Sequence, residues 1–142
     1  MRLNTQTDYA LRLLMHLAVN SSRLVTIQEV ADRFSISKNH LMKLASTLTR
    51  EGFVTSVRGR SGGLKLARPP ERITVGAIVR CMENDFALVE CFQAERSECL
   101  ITPACRLKGV LNGAAAAFLA ELDRCTLSDL VQNNAPLERI LA

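Results

Sequence analysis

The stretch from residue 26 to residue 66 reads TIQEVADRFSISKNHLMKLASTLTREGFVTSVRGRSGGLKL. Thr26 and Glu29 have the spacing of a capping box, which predicts a short helix through Phe34. The Ser35-Ile36-Ser37 segment is a turn that ends in a new N-cap. A further helix is therefore predicted from Lys38 to about Glu51, with Gly52 as its C-terminal stop.

Two short β-type runs follow this helix, at Phe53–Val57 and Leu64–Leu66. They are joined by Arg58-Gly59-Arg60-Ser61-Gly62-Gly63, so the pattern predicts a hairpin with a basic, glycine-rich tip. Helix, tight turn, helix and hairpin in this order are the winged form of the helix-turn-helix. The fold class predicted is mainly α, with a small β-hairpin wing and a long dimerisation helix.

The polar and basic residues of this module have the chemistry that duplex DNA requires. Asn can pair bidentately with adenine, Lys can reach guanine or a phosphate, and Arg can enter a narrow minor groove. The candidate DNA-contacting residues lie at the start of the helix predicted from Lys38 and at the wing tip: Ser37, Lys38, Asn39, His40, Lys43, Arg58 and Arg60. The alternative is that they form an ordinary solvated helix face and a charged turn.

The flanking sequence predicts further helices. One runs from Thr5, as N-cap, to Val19, with Asp8 in its first turn. Thr74 caps a helix through about Met82, and Thr126 caps a last short helix. A long Ala/Leu-rich helix extends from about Pro103 to Arg124, with an apolar seam formed by Leu111, Ala114, Phe118, Leu122 and Cys125. We expect a DNA-binding domain over residues 1–70, and a cluster-binding loop with dimerisation helices over 71–142.

Composition and charge favour a globular polyanion-binding protein. Of 142 residues, 48% are hydrophobic and 23% charged, which excludes a disordered chain. Residues 1–80 carry a net charge of +8 and residues 81–142 a net charge of −4. No apolar run is long enough to span a membrane and no export signal is evident, so we expect a cytoplasmic protein. The sequence shows no phosphate-binding loop and no Ser/His/Asp arrangement, so we do not expect an enzyme.

Three of the five cysteines fall in a window of 15 residues, as Cys91, Cys99 and Cys105 with C-x7-C-x5-C spacing. This spacing lacks the C-x2-C pairs usual for zinc, although it does not exclude zinc. Three thiolates on one irregular loop can hold three corners of an iron–sulfur cluster, with the fourth ligand supplied from elsewhere. Scattered buried thiols are the alternative.

The remaining cysteines and the histidines are not expected to bind iron. Cys81 and Cys125 are better interpreted as small buried hydrophobic residues. His16 is predicted to lie on a helix face and His40 to face DNA.

Several segments resemble the Rrf-type family of bacterial iron–sulfur transcription regulators. They are Thr7–Arg12, Ser37–Lys43 and the wing Val57–Gly63. The cysteine segment, with Glu90-Cys91-Phe92 and Glu98 to Leu107, is similar to the nitric-oxide-sensing branch. So are Phe118–Asp123 and Thr126–Leu130, and the resemblance covers nearly the whole chain.

The resemblance implies a homodimer with a four-iron–four-sulfur cluster on Cys91, Cys99 and Cys105. The family's fourth ligand, where it is an aspartate, maps onto Asp8 and comes from the partner subunit. Asp8 also has a structural interpretation, since it can stabilise its helix and pair with Arg12.

Neighbouring branches differ at a few positions. The iron–sulfur-assembly regulators have a histidine where this chain has Lys108. The two-iron branch has glutamate and histidine at the positions of Asp8 and Arg12.

The sequence therefore predicts a dimeric repressor of a pseudo-palindromic operator that loses its affinity for double-stranded DNA when nitric oxide reacts with the cluster. One alternative is an iron-responsive repressor of the same family. Another, from a different class, is a cluster-carrying electron-transfer protein whose basic half binds an acidic partner.

Overall fold

A computed structural model of the chain describes residues 2–93, 95 and 97–142. The elements are α1 (Thr5–Val19), α2 (Ile27–Phe34), α3 (Lys38–Arg50), β1 (Val54–Val57), β2 (Gly63–Leu66), α4 (Val75–Met82), α5 (Arg106–Asp123), α6 (Leu127–Val131) and α7 (Ala135–Leu141). Short 3-10 turns occur at Pro70–Arg72, Glu90–Phe92 and Thr102–Ala104. The mainly helical fold with one hairpin is confirmed.

The hairpin is antiparallel, and its register runs from Val54 opposite Leu66 to Val57 opposite Gly63. An isolated bridge between Val25 and Leu64 attaches it to the segment before α2, with N–O distances of 3.0 and 2.7 Å. These bonds fix the base of the wing, so its tip extends from an anchored sheet.

The hydrophobic core is built around α1. Leu13, Leu14 and Leu17 are almost completely buried, and α1 packs on α3, β2, α4, α6 and α7. The same buried cluster includes Ile73 and Leu127, which follow the predicted boundary at residue 70. One continuous core therefore joins the two predicted parts of the chain.

Helix α5 packs differently from the others. None of its described side chains is buried, and Leu107 and Val110 are 60% and 67% exposed. Its C-terminal end is fixed to α4, where the Arg80 guanidinium donates to both Asp123 carboxylate oxygens at 2.5 and 2.6 Å. A side chain at Gly76 would place its Cβ 2.0 Å from Asp123 Oδ1, so only glycine allows this approach. Because α5 is apolar and none of its described side chains is buried, its surface is available for association.

The structure corrects several local predictions. Asn4, and not Thr5, is the N-cap of α1, because its side chain accepts from the Thr7 amide at 2.8 Å. Helix α5 begins at Arg106, since the preceding residues form a 3-10 turn. The sequence interpretation missed α7 entirely. No helix within the described part of the chain combines the length and apolarity needed to cross a membrane.

The predicted capping box at Thr26 is only half formed. The Thr26 side chain accepts from the Glu29 amide at 3.1 Å, as a capping box requires. The Glu29 carboxylate, however, bonds to the side chains of His16 and Arg23 instead of returning to the cap.

Candidate nucleic-acid interface and cysteine segment

The start of α3 presents the predicted polar residues to solvent. Ser37 is the N-cap, and its hydroxyl accepts from the His40 amide at 3.2 Å. The opposite face of α3 buries Leu41, Leu44 and Leu48 in the core, which leaves the predicted contact residues on the outside. All five are exposed: Ser37, Lys38, Asn39, His40 and Lys43. The structure thus brings these residues together on one accessible surface.

The wing tip presents Arg58 and Arg60, both exposed, on either side of Gly59. Gly59 has a φ of +115°, a conformation that favours glycine. Gly62 is equally constrained, because a Cβ there would lie 2.3 Å from the Val57 carbonyl oxygen. These glycines let the backbone turn tightly and keep both arginines at the tip.

Electrostatics favour a polyanionic ligand at this surface. Four of the predicted DNA-contacting residues are cations, and none of them forms an ion pair within residues 2–93, 95 and 97–142: Lys38, Lys43, Arg58 and Arg60. Their charges are therefore free to neutralise phosphates, which release counterions from the duplex on binding.

A polar triad of His16, Glu29 and Arg23 joins α1 to α2 in the part of the chain that carries the helix-turn-helix and the wing, which we call the head. His16 is fully buried, and its Nε2 lies 2.9 Å from Glu29 Oε1. Arg23 donates to the same carboxylate at 2.7 and 2.9 Å. These hydrogen bonds, chiefly from Arg23, lower the pKa of Glu29 to about 2. Burial lowers the pKa of His16 and favours the neutral ring. The prediction that His16 lies on a helix face overlooked this burial, because Glu29 is 13 residues away in sequence.

Between α4 and α5, the described residues contain little regular structure apart from two 3-10 turns. Cys91 lies within the turn Glu90–Phe92, Cys99 precedes the turn Thr102–Ala104, and Cys105 directly precedes α5. All three are free thiols and partly exposed. The Glu90 carboxylate accepts from the Glu98 amide at 2.5 Å, and this bond draws together the residues that precede Cys91 and Cys99.

Two hydroxyls near Cys99 lack partners. Ser97 Oγ and Thr102 Oγ1 are buried, and neither has a hydrogen-bond partner among the described atoms. Buried polar atoms are normally satisfied, so unpaired groups require an explanation. A polar or charged group held by the neighbouring thiolates would supply one, and the thiolate donors suit an iron–sulfur cluster.

Within the single chain, the predicted ligands do not converge. Among the described residues, no three His, Cys, Asp or Glu side chains are grouped closely enough to hold a metal ion. A cluster is held at separate iron atoms, so its thiolates need not meet at one point as the ligands of a single ion do. Asp8 lies on α1, is 47% exposed and pairs with Arg12 at 2.6 Å. The pairing with Arg12 that the sequence suggested is confirmed.

Cys81 and Cys125 lie outside the cysteine segment, and the prediction that both are buried is wrong. Both are partly exposed and not fully buried, and Cys81 packs against the core. Burial is the main cause that raises the pKa of each thiol. They are therefore poorer thiolate donors at neutral pH.

Comparison with known proteins gives consistent results. Residues 3–133 match the model of the Rrf2 family, described as an iron-dependent transcriptional regulator. The chain is 47% identical over 143 residues to the HTH-type transcriptional regulator NsrR of Bacillus licheniformis, with all of both chains covered. It is also 47% identical to the NsrR of Bacillus subtilis, covering 99% of this chain and 97% of that one.

Solved structures share the fold. A structure of T. potens IscR has a TM-score of 0.75 and 27% identity, and covers 94% of this chain and 88% of its own. The global cysteine regulator CymR of Bacillus subtilis has a TM-score of 0.75 and 26% identity, with 92% and 96% covered.

Proposed function

The chain belongs to the Rrf2 family and is a DNA-binding regulator of transcription, not an enzyme, and from this premise we propose that it is a homodimeric repressor that senses nitric oxide through a four-iron–four-sulfur cluster. The observation that carries the proposal is the cysteine segment. It contains three partly exposed free thiols and two buried hydroxyls that have no partner among the described residues, in a chain 47% identical to proteins named NsrR.

Cys91, Cys99 and Cys105 would hold the cluster, and Asp8 of the partner subunit would supply the fourth ligand. When bound, the cluster supplies iron atoms that react with nitric oxide. Oxygen is a harder donor than thiolate, so the carboxylate is expected to be the weakest protein ligand. Arg12, 2.6 Å from Asp8, is positioned to retain that carboxylate once it is released.

Dimerisation is supported by the surface of α5. This 18-residue helix buries none of its described side chains within the chain. An open groove of about 670 Å³ lies beside it, lined by Phe86, Leu88 and Phe118 among others. A second copy of the chain would cover this apolar surface and place two recognition helices on one duplex. A two-fold dimer reads a pseudo-palindromic operator.

The test is anaerobic purification followed by absorption spectroscopy and iron and sulfide counts. Operator binding is then measured before and after nitric oxide. We expect a visible absorption band, about four irons per chain, and DNA binding that is lost on exposure. A pure chain that carries no iron, or that binds operator and scrambled duplexes equally at physiological salt, would overturn the proposal.

Asp8→Ala tests the fourth ligand. We expect a cluster that still assembles on three thiolates, combined with weak operator binding or lost control by nitric oxide. Asp8→Cys should bind the cluster and respond more slowly. Wild-type repression and response in Asp8→Ala would rule out the assignment.

The family description as iron-dependent favours a second candidate, an iron-responsive repressor. Chelating iron without nitric oxide distinguishes the two: the second candidate releases its operator on mild chelation, whereas the nitric-oxide sensor requires nitric oxide. The electron-transfer alternative is disfavoured by membership in a family of transcription regulators.

A further inference from the structure

The first turn of α1 and the last turn of α4 are joined by hydrogen bonds. Glu83 Oε1 accepts from the Asn4 amide at 2.8 Å and from the Thr7 hydroxyl at 2.5 Å. In return, Asn4 Nδ2 donates to the Met82 carbonyl at 3.0 Å. Thr7 is completely buried, whereas Asn4 and Glu83 are partly buried. We call Asn4, Thr7 and Glu83 the clasp.

The clasp satisfies groups that each helix end leaves without partners. Asn4 is the N-cap of α1 and Glu83 the C-cap of α4. The first amides and last carbonyls of a helix have no partner within the helix. Here the Met82 carbonyl is satisfied by Asn4, and the Glu83 carboxylate lies at the N-terminus of α1, where negative charge is favourable. Neither helix end can move without breaking bonds to the other.

The position of the clasp along the chain connects two parts of the proposed sensor. Thr7 immediately precedes Asp8, the candidate fourth ligand. Glu83 is the first residue after α4, and the segment that begins there carries Cys91, Cys99 and Cys105. If Asp8 serves the partner's cluster, the clasp links the fourth ligand of one cluster to the thiolates of the other.

We propose that Glu83, with Asn4 and Thr7, is a positioning residue. It couples the turn of α1 that carries Asp8 to the segment after α4 that carries the three cysteines. This inference rests on the proposed function. Its consequence is that the two clusters of the dimer are not independent, because displacement of Asp8 at one cluster loosens the segment that holds the other.

Hydrogen exchange of the full-length, cluster-free protein tests the coupling without depending on cluster chemistry. Thr7→Val removes the hydroxyl donor at nearly constant volume, and Glu83→Ala removes the acceptor. Because hydrogen bonds to charged groups are the stronger ones, Glu83→Ala should speed exchange about tenfold in two peptides at once, residues 2–11 and 83–93. Thr7→Val, although it lies on α1, should speed exchange severalfold in residues 83–93.

Two further variants separate coupling from general loss of stability. Glu83→Gln keeps an acceptor oxygen but loses the charge, so its exchange in both peptides should lie between wild type and Glu83→Ala. Thr74→Ala removes the cap at the other end of α4, where the Thr74 hydroxyl accepts from the Ala77 amide at 3.1 Å. It should leave residues 2–11 unchanged. Unchanged exchange in folded Glu83→Ala, or an equal effect of Thr74→Ala on residues 2–11, would overturn the coupling.

The loaded protein supplies the second measurement, the rate at which the cluster's absorption band is lost to a chelator. Asp8→Ala and Glu83→Ala should each speed this loss. If both act through one link, the increase in rate in the double variant should be smaller than the product of the two single increases. Strictly multiplicative rates would overturn the connection between the clusters. A wild-type chain that binds no cluster refutes the proposed function and this connection, whereas the exchange data decide the clasp by themselves.

Discussion

Glu29→Gln should destabilise the DNA-binding head measurably at neutral pH. The Glu29 carboxylate accepts from Arg23 and lies 2.9 Å from His16 Nε2, and these bonds place its pKa at about 2 instead of 4.5. Each pKa unit corresponds to 1.36 kcal/mol, so the full shift corresponds to about 3 kcal/mol. Because Arg23 is 43% exposed and solvent screens its charge, we expect ionisation of this carboxylate to contribute about 1–2 kcal/mol to folding. Glutamine resembles the protonated carboxyl and should lose most of that free energy.

Urea unfolding followed by circular dichroism measures the difference, with Asp32→Asn as the matched control. Asp32 lies on the same helix but is exposed, and Gln28 is its one donor among the described residues, so its loss should cost less than about 0.5 kcal/mol. If Glu29→Gln and Asp32→Asn unfold at the same urea concentration at pH 7, the triad does not stabilise the head as argued.

The pH dependence gives a second measure of the same effect. A carboxylate with a lowered pKa stabilises the fold fully above its unfolded pKa of 4.5, and this contribution disappears as the pH falls toward 2. The difference between wild type and Glu29→Gln should therefore be largest above pH 4.5 and vanish near pH 2. The pKa of His16 is also lowered, so its protonation should begin to destabilise both proteins below about pH 6.5. Protonation would leave an N–H at the buried, unpartnered Nδ1.

Other substitutions test the remaining surfaces. Lys43→Ala should weaken operator binding by roughly 1–3 kcal/mol in a fluorescence anisotropy titration, and equal binding would remove Lys43 from the interface. Cys99→Ala should abolish stable cluster binding in anaerobic iron counts, whereas Cys125→Ala should not; unchanged iron in Cys99→Ala would contradict the ligand assignment. Gly76→Ala should displace the Asp123 carboxylate, because the new Cβ would lie 2.0 Å from it, and we expect a lower melting temperature and weaker dimerisation by analytical ultracentrifugation. A variant that melts and sediments as wild type does would show that α5 does not depend on this contact.

The local features of the fold were predictable from the sequence. The predicted range of α1 matches its observed bounds, although its N-cap is Asn4 and not Thr5, and Thr74 and Thr126 cap the helices they were expected to cap. The wing was predictable because its glycines are required by backbone geometry, as at Gly62. The exposed face of α3 was predictable because Leu41, Leu44 and Leu48 mark the opposite, buried face of the helix.

The features that were missed depend on distant partners. Asn4 and Glu83 are 79 residues apart, so no local pattern indicates that they share a hydrogen bond. Glu29 has the spacing of a capping box, but its carboxylate bonds instead to the buried His16 and to the exposed Arg23. The proposed approach of Asp8 to the three cysteines would join two chains, and no single-chain pattern describes such a contact.

The core described above also has a consequence for protein synthesis. Leu127 is completely buried in the same cluster as Leu13 and Leu14 of α1, and α6 and α7 pack directly on α1. The ribosome releases the recognition helix and the wing well before these last helices exist. During that interval the apolar face of α1 lacks part of its cover, and long-range contacts of this kind form late. A chain that stops after the wing would carry every predicted DNA-contacting residue and would still expose the apolar face of α1, which favours aggregation.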